Sequence, residues 1–262
     1  MSEIVKVCEM VARLGGDVLR RWEGRFEVRE KAPADLVTEA DLESQATIRS
    51  RLAQLRPGDA FVGEEDDGLP ADIDMSSQSK QIVWIVDPLD GTTNYAHGLP
   101  YYAVSVAATQ GGRTLAGVVF NPVTEECFSA SRGNGAFLNG QAIRISQVER
   151  LKDALVAASF PPVVERGSRE VESLLNVMEH SQSIRRTGSA ALNMCYVASG
   201  RFDAYWATRT RSWDVAAGWL IVEEAGGIVV GPAGGEFTLA LPTPIVAATQ
   251  SLCDELLTHV RW

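Results

Sequence analysis

Cysteine is scarce in this chain, and its positions are widely separated. The sequence has Cys8, Cys127, Cys195 and Cys253, with no Cys-x-x-Cys pair. A disulfide scaffold or a zinc knuckle needs paired cysteines, so we expect neither. Four buried thiols in a reducing compartment are expected instead, which predicts a cytoplasmic protein.

The chain also lacks the sequence signals of several catalytic classes. Its three histidines, His97, His180 and His259, are far apart in the sequence, so they do not predict a zinc or general-base cluster. We expect surface or packing roles for them instead. No Gly-x-x-x-x-Gly-Lys segment is present, which argues against a kinase-type phosphate loop.

Basic blocks and long apolar runs are missing as well. With 24 Lys and Arg against 34 Asp and Glu, the formal charge is -10, which disfavours a nucleic-acid surface or an acidic membrane as partner. No eighteen uncharged apolar residues run together, and the N-terminal segment is amphipathic with Glu3 and Glu9, so neither a membrane span nor a signal peptide is predicted. A negatively charged substrate would need cations to bind here.

Periodicity and turn signals predict α and β elements throughout the 262 residues. The first helix extends to about Trp22, a connector covers residues 31–35, and a second helix opens with a capping box at Thr38–Asp41. Strands predominate to about residue 150. Beyond it strands alternate with helices, including a short helix from Ala190 to Ala198, a strand over Ile228–Val230 and a closing helix over 253–260. We expect layered elements in a single domain with two subdomains, roughly 1–150 and 151–262.

The most informative stretch is Trp84-Ile85-Val86-Asp87-Pro88-Leu89-Asp90-Gly91-Thr92-Thr93-Asn94. A β-branched apolar run ends at a carboxylate, Pro88 forces a turn, and a second carboxylate follows. Asp87 and Asp90 on one tight turn would repel each other unless a cation lay between them, and hard carboxylate oxygens suit Mg²⁺. From Gly91 a helix begins, whose free N–H groups favour an anion. Either turn dipeptide alone would be ordinary, but the combination favours a site.

An aspartyl nucleophile is the chemical rival for this stretch. Phosphatases that form a phospho-enzyme carry two aspartates one residue apart before a threonine, whereas Asp87 and Asp90 are three positions apart. The spacing disfavours a covalent intermediate.

Two further acids stand where a strand ends or a helix begins. Glu64 follows the strand over 60–62 in an acidic cluster, and Asp214 lies in Trp213-Asp214-Val215. Such positions collect active groups in layered folds. Taken alone, Glu64 fits a solvated loop and Asp214 fits a helix N-terminus that it stabilises by roughly 0.3–1 kcal/mol.

Together these segments resemble the inositol monophosphatase family of Mg²⁺-dependent, lithium-sensitive phosphatases. The resemblance covers nearly the whole chain. It is carried by the stretch from Trp84 to Asn94, by Gly63-Glu64-Glu65, by Trp213–Gly218 with Glu224–Gly227, and by Asp35–Asp41. It implies an α+β fold, the layered αβαβα sandwich, and a hydrolase that is commonly dimeric.

The resemblance also implies the metal ligands. Glu64, Asp87 and the carbonyl of Leu89 would hold a first Mg²⁺, and Asp87, Asp90 and Asp214 a second, with Asp87 as the bridge. Two-metal sites place their ions roughly 3.5–4 Å apart.

Catalytic and substrate-binding residues follow from the same resemblance. Glu64, together with Thr92 in contact with Asp41, would assist the water that attacks phosphorus in line with the ester oxygen. The residues implied to contact the substrate are Asp90, Gly91, Thr92, Gly188, Ala190 and Asp214.

One departure from the family concerns the substrate. Family members that bind inositol have a glutamate seven residues before the aspartate of Trp-Asp, and this chain has Ala207 there, followed by Arg209 and Arg211. These arginines either meet a second phosphate or carboxylate or are solvated loop charges.

Three functions are consistent with the sequence. The first is hydrolysis of inositol 1-phosphate or a related polyol or sugar phosphate. The second is the same chemistry on 3′-phosphoadenosine 5′-phosphate, fructose 1,6-bisphosphate or histidinol phosphate. The third is binding of a macromolecular partner with vestigial activity, which the intact set of repelling acids disfavours.

Overall fold

The computed structural model describes residues 3–32, 35–66, 79–161 and 163–261. The α-helices in these ranges are α1 Glu3–Trp22, α2 Glu39–Leu55, α3 Thr92–Ala96, α4 Arg169–His180, α5 Ala190–Ala198, α6 Ser212–Glu224 and α7 Gln250–His259. The strands are β1 Val28–Ala32, β2 Asp35–Thr38, β3 Ala60–Gly63, β4 Ile82–Asp90, β5 Ala103–Gln110, β6 Arg113–Asn121, β7 Glu126–Ser131, β8 Ala136–Leu138, β9 Gln141–Ala142, β10 Leu155–Ser159, β11 Ser183–Arg185, β12 Ala204–Ala207, β13 Ile228–Val230 and β14 Ile245–Ala247.

Two large sheets contain twelve of these strands, and β1 and β2 form a separate two-stranded sheet. The larger has the order β3-β4-β5-β6-β7-β8-β9, and the smaller has the order β11-β10-β12-β14-β13. In the larger sheet β3 and β4 are parallel and the remaining neighbours are antiparallel. In the smaller sheet β10 is parallel to both β11 and β12. Strands β3 and β4 therefore end at one edge of their sheet, as do β10, β11 and β12.

Helices form three layers around the two sheets. α1 and α2 pack on one face of the larger sheet, α5 and α6 lie between the sheets, and α4 and α7 cover the far side of the smaller sheet. This arrangement confirms the expected αβαβα sandwich. α6 is buried from Val215 to Val222, as its uniformly apolar sequence predicts, because both of its sides face protein.

Strand β4 is buried on both faces. Trp84 and Val86 enter the core beneath α1 and α2, whereas Val83 and Ile85 enter the core shared with α5 and α6. Successive side chains of a strand point to opposite faces, so a continuous apolar run is what a strand between two helical layers requires.

Several predicted boundaries are confirmed, and some are wrong. α5 and β13 have the predicted ends, and the capping box that opens α2 is present. The connector predicted over 31–35 is too long at both ends, because β1 extends to Ala32 and β2 begins at Asp35. These two strands pair antiparallel. α7 begins before the predicted position because the Thr249 hydroxyl accepts the N–H of Leu252 and so caps the helix earlier.

The cysteines and two of the histidines are packed inside or against the fold. All four cysteines are free and buried, as expected. His180 and His259, which are far apart in the sequence, lie with their ring centroids 4.2 Å apart where α4 and α7 meet, and this contact agrees with the packing role expected. Across the described ranges, no helix combines the length and apolar character needed to cross a membrane.

Candidate active site

A β-bulge at the end of β4 places two aspartates on the same face. Asp87 pairs in register with Ser105 and Asp90 with Ala103, so β4 has one more residue than β5 in this interval. Three positions along a regular strand would turn the two side chains to opposite faces, and the extra residue reverses that. Pro88 has no N–H to lose from the ladder, and the N–H of Leu89 donates to Asp87 Oδ1 at 3.0 Å.

Neighbouring elements bring Glu64 and Asp214 to this bulge. β3 is parallel to β4, and the N–H of Glu64 donates to the carbonyl of Val86 at 3.1 Å, next to Asp87. From the other side, the Ser105 hydroxyl donates to the carbonyl of Trp213 at 3.2 Å. Since Ser105 is the cross-strand partner of Asp87, this bond holds the N-terminal turn of α6, with Asp214, beside Asp87.

Mutual repulsion perturbs these carboxylates. Asp87 is buried, and its pKa is raised well above the ordinary value first by burial, then by the charges of Glu64, Asp90 and Asp214; Glu64 also shares a hydrogen bond with it. Burial raises the pKa of Asp90 to about 6, against the lowering effect of its hydrogen bonds to Ser189, Ala191 and Ala190. A cation among these groups would relieve both the repulsion and the burial cost.

Asp90 also joins the bulge to α5. Its carboxylate accepts the Ser189 hydroxyl, the N–H of Ala190 at 3.1 Å and the N–H of Ala191 at 2.8 Å. The first N–H groups of a helix have no intrahelical partner, so a carboxylate there is favoured. The contact fixes the Gly188–Ala190 segment against the end of β4.

Partly buried Thr92 and buried Asp41 form a hydrogen-bonded pair. Thr92 Oγ1 lies 3.3 Å from Asp41 Oδ1 and 3.1 Å from the carbonyl of Leu89, so its single proton is shared between two acceptors. Asp41 Oδ2 accepts the N–H of Thr38 at 2.9 Å and its hydroxyl at 2.6 Å. The capping box of α2 therefore also orients the acid that faces Thr92.

The turn at Gly91 brings two loops into close contact. Gly91 has φ 99°, and a Cβ there would lie 3.1 Å from the carbonyl oxygen of Tyr101 and 3.3 Å from that of Gly188. Only glycine satisfies both conditions. Asn94 Nδ2 donates to the carbonyls of Tyr101 and Thr187 at 2.7 and 2.8 Å, which holds the loop before Gly188 in place. The helix that follows has only five residues, so single N–H groups, and not a long dipole, would bind an anion.

The donor set suits a hard divalent cation. The acidic groups offer only carboxylate oxygens, which Mg²⁺ and similar ions prefer. Among the residues that the structure describes, no three His, Cys, Asp or Glu side chains already form a ligand shell. Both Asp90 oxygens accept protein hydrogen bonds, and the N–H of Arg211 donates to Asp214 Oδ2 at 2.7 Å, so these side chains are oriented by protein donors.

The comparisons with known proteins give the family. The model of the inositol monophosphatase family matches residues 1–262. The chain belongs to the inositol monophosphatase family. This is a family of metal-dependent phosphatases, so the chain is a phosphoric ester hydrolase by family.

Relatives and solved structures match over the full length. The chain is 39% identical over 265 residues to a Mesorhizobium japonicum protein named inositol-1-monophosphatase, covering 99% of this chain and 97% of the relative. It is 37% identical to the Pseudomonas aeruginosa protein named Nus factor SuhB, covering 100% and 97%. The structure of the extragenic suppressor protein suhB from Bartonella henselae superposes with a TM-score of 0.90 at 37% identity, covering 98% of each chain.

The family motifs thus converge in space, and some supporting residues escaped the sequence analysis. Glu64, Asp90 and Asp214 act electrostatically on Asp87, and the Thr92 hydroxyl lies within hydrogen-bond distance of Asp41 and of the Leu89 carbonyl. Ser105, Ser189 and Asn94 were not predicted as supporting residues. Ser105 is one of two hydroxyl residues in the buried and mostly apolar strand β5, and a buried hydroxyl needs a hydrogen-bond partner, which is the signal that could have revealed it.

Proposed function

We propose that this chain is a Mg²⁺-dependent phosphomonoesterase that hydrolyses a small phosphate monoester, inositol 1-phosphate or a related polyol or sugar phosphate, by attack of water. The observation that carries the proposal is the buried carboxylate of Asp87, with three further carboxylates acting on it beside the turn at Gly91 and Thr92. A protein without a cation at this place would gain nothing from such repulsion.

Magnesium would be held by the residues nearest the bulge. Glu64, Asp87 and the Leu89 carbonyl would hold one ion, and Asp87, Asp90 and Asp214 the other. When bound, the ions polarise the phosphate oxygens, lower the pKa of water and stabilise the leaving oxygen.

Thr92 is suited to hold and orient the attacking water. Its hydroxyl donates to Asp41 or to the Leu89 carbonyl, which leaves the lone pairs of the Thr92 oxygen able to accept a hydrogen bond from water. Asp41 keeps its orientation through two bonds from Thr38. Glu64 assists as a second acceptor at the end of β3, and the N–H groups of Gly91 and Thr92 bind phosphate oxygens.

The substrate would lie against Asp90, Asp214, Gly188 and Ala190. Ala207, at the end of β12, is buried and offers a methyl group where family members that bind inositol have a carboxylate. The 3′(2′),5′-bisphosphate nucleotide, fructose 1,6-bisphosphate and histidinol phosphate activities therefore remain alternatives to inositol phosphate hydrolysis.

A macromolecular role is the second candidate, supported by one observation. The Pseudomonas aeruginosa relative is named a Nus factor. This chain nevertheless has the acids and Thr92, which a binding protein has no reason to keep.

By family resemblance we extend the proposal to inhibition by lithium, a homodimer and a cytoplasmic location. We also propose a single domain, since the core between the sheets takes side chains from both 1–150 and 151–262.

A phosphate-release assay over a panel of these esters tests the proposal. Hydrolysis that requires Mg²⁺, stops with EDTA and is lost in Asp87→Asn would support it. Absence of hydrolysis on every ester, by a folded protein with Mg²⁺, would favour the macromolecular role.

A further inference from the structure

Arginines surround the edge of the smaller sheet that borders the proposed substrate site. Because β10 is parallel to both β11 and β12, all three strands end at this edge. The segments 163–170, 185–189 and 207–211, which follow or flank these strand ends, contain six arginines and two glutamates in a chain with a formal charge of -10. Positive charge is therefore concentrated at this edge.

Arg186 and Arg209 flank the end of β10. Arg185 pairs in register with Ala157 of β10, and Ala207 pairs with Ser159, so the residues that follow them leave the sheet on either side of β10. Two strand spacings separate β11 from β12 by about 10 Å. Two long arginine side chains can close that gap around one anion.

The arginines of β11 have different surroundings. Arg185 Nη1 donates to Ser183 Oγ at 2.6 Å and to the Ile184 carbonyl at 2.9 Å, so it is bound to its own strand. Arg186 Nη2 instead donates to the Pro161 carbonyl at 3.3 Å, and its Cζ lies 5.8 Å from the Phe160 ring centroid. These contacts direct Arg186 over the end of β10.

Arg209 occupies a backbone conformation that normally favours glycine. Its φ is 57°, its side chain is exposed, and its nearest acid, Glu170, is 4.0 Å away, at the limit of an ion pair. A strained non-glycine residue in a loop that leads to Asp214 is a reason to look for function. Next to it, the buried methyl of Ala207 places no negative charge that would repel an acid.

We propose that the phosphate ester cleaved by this chain carries a second acidic group, a phosphate or a carboxylate, which Arg186 and Arg209 bind. The inference rests on the proposed function, since it concerns the same substrate. Guanidinium groups bind such oxyanions through paired, charge-assisted hydrogen bonds. Two of them on either side of β10 would favour an ester with a second acidic group over a polyol phosphate whose other groups are neutral.

Two matched pairs of esters test the inference. 2-Phosphoglycerate has a carboxylate where glycerol 2-phosphate has a hydroxymethyl group, and fructose 1,6-bisphosphate has one more phosphate than fructose 1-phosphate. We expect kcat/KM to be about tenfold or more higher for the acidic member of at least one pair, and the pair that shows it identifies the second group.

Variants then assign the preference to the arginines. Arg186→Gln and Arg209→Gln should each reduce the preference about tenfold, mainly through KM, because binding and not chemistry is lost. Arg113→Gln is the matched control, since exposed Arg113 is the first residue of β6, at the end of the larger sheet opposite Asp90. Arg209→Gly should lose the preference equally while its melting temperature is maintained or raised, because glycine accepts this φ without strain.

The outcomes separate the two proposals. Equal turnover within both pairs, or a preference that survives in Arg186→Gln and Arg209→Gln, would overturn the inference and leave the phosphatase function standing. Failure to hydrolyse any of the four esters or inositol 1-phosphate, by folded protein with Mg²⁺, would overturn the proposed function and this inference with it.

Discussion

The ends of two strands, β4 and β12, contribute to the proposed site in opposite ways. At the end of β4, Asp87 and Asp90 are buried and held by bonds from Leu89, Ser189 and the start of α5. At the end of β12, the chain leaves the sheet in an exposed turn with a strained Arg209. The first region is buried and hydrogen-bonded to several elements. In the second, the backbone is held at Thr208 and Thr210, and the Arg209 side chain is exposed.

This difference separates chemistry from specificity. Groups that bind metal ions and activate water must keep their geometry to a fraction of an ångström, so they need a buried and fully bonded setting. A group that only selects the substrate can lie on a loop, where substitution changes the ligand without unfolding the protein. Substitutions at each strand end, together with metal removal, test whether catalysis at the end of β4 and substrate selection at the end of β12 can be changed independently.

Asp87→Asn should have the largest effect. The carboxylate shared by both proposed ions is lost, and we expect kcat to fall by at least about 10³-fold, the upper range for loss of one electrostatic contact. Because a neutral amide removes a repelled, buried charge, the metal-free protein should melt at the same or a higher temperature. Steady-state kinetics and calorimetry measure both, and near-normal turnover would remove Asp87 from the chemistry.

Thr92→Val should come second. The variant keeps the shape but removes the hydroxyl that bonds Asp41 and the Leu89 carbonyl, and kcat should fall by about 10²-fold. Thr92→Ser retains the hydroxyl and serves as the matched control. If valine and serine gave the same kcat, Thr92 would have a packing role only.

Ala207→Glu should change specificity without changing chemistry. A carboxylate at the end of β12 would bind hydroxyl groups and repel a second acid, so the kcat/KM ratio of inositol 1-phosphate over an acidic ester should rise about tenfold. Ala207→Gln controls for size at this buried position. An unchanged substrate ranking in folded Ala207→Glu would show that β12 does not govern recognition.

Metal removal should affect stability through the β4 end alone. An ion at 100 times its Kd stabilises the folded state by about 2.7 kcal/mol, or about 5–10 °C for a chain of this size. EDTA should therefore lower the melting temperature of the wild type and of Arg209→Gly by a similar amount, and that of Asp87→Asn by less. Equal shifts in all three proteins would contradict an ion held by Asp87.

The smallest expected effect belongs to neither strand end. Burial and the neighbouring His180 lower the pKa of His259 below 6.5, so the folded protein disfavours the charged ring. Above pH 6.5 the ring is neutral in both the folded and the unfolded state, so its burial costs nothing. As pH falls below 6.5 the unfolded chain binds a proton first, and stability is lost until pH reaches the lowered pKa of the folded state. The urea midpoint of the wild type should be slightly lower at pH 5.5 than at pH 7.5. This difference should be smaller in His259→Gln, and in the Ala207 and Arg209 variants it should equal that of the wild type.

The sequence predicted the helices, strands and acidic site residues better than the residues that hold those acids in place. The ends of α5 and β13 and the capping box of α2 follow from adjacent residues, through periodicity and caps. The contact of Asp90 with the start of α5 and of Ser105 with Trp213 joins residues about 100 positions apart, and no local pattern encodes such a pair. The meeting of His180 and His259 was missed for the same reason.

By itself, the sequence determined that a β-branched strand ends in Asp87 and Asp90, that Gly91 follows, and that Ala207 and Arg209 stand near the Trp-Asp motif. Only the tertiary structure decided that a bulge turns both aspartates to one face and that α5 and α6 bring Ser189 and Asp214 to them. It also decided that Arg186 and Arg209 flank the same strand end. Local residue types fix which elements form, whereas burial of three helical layers against two sheets fixes which of their ends meet.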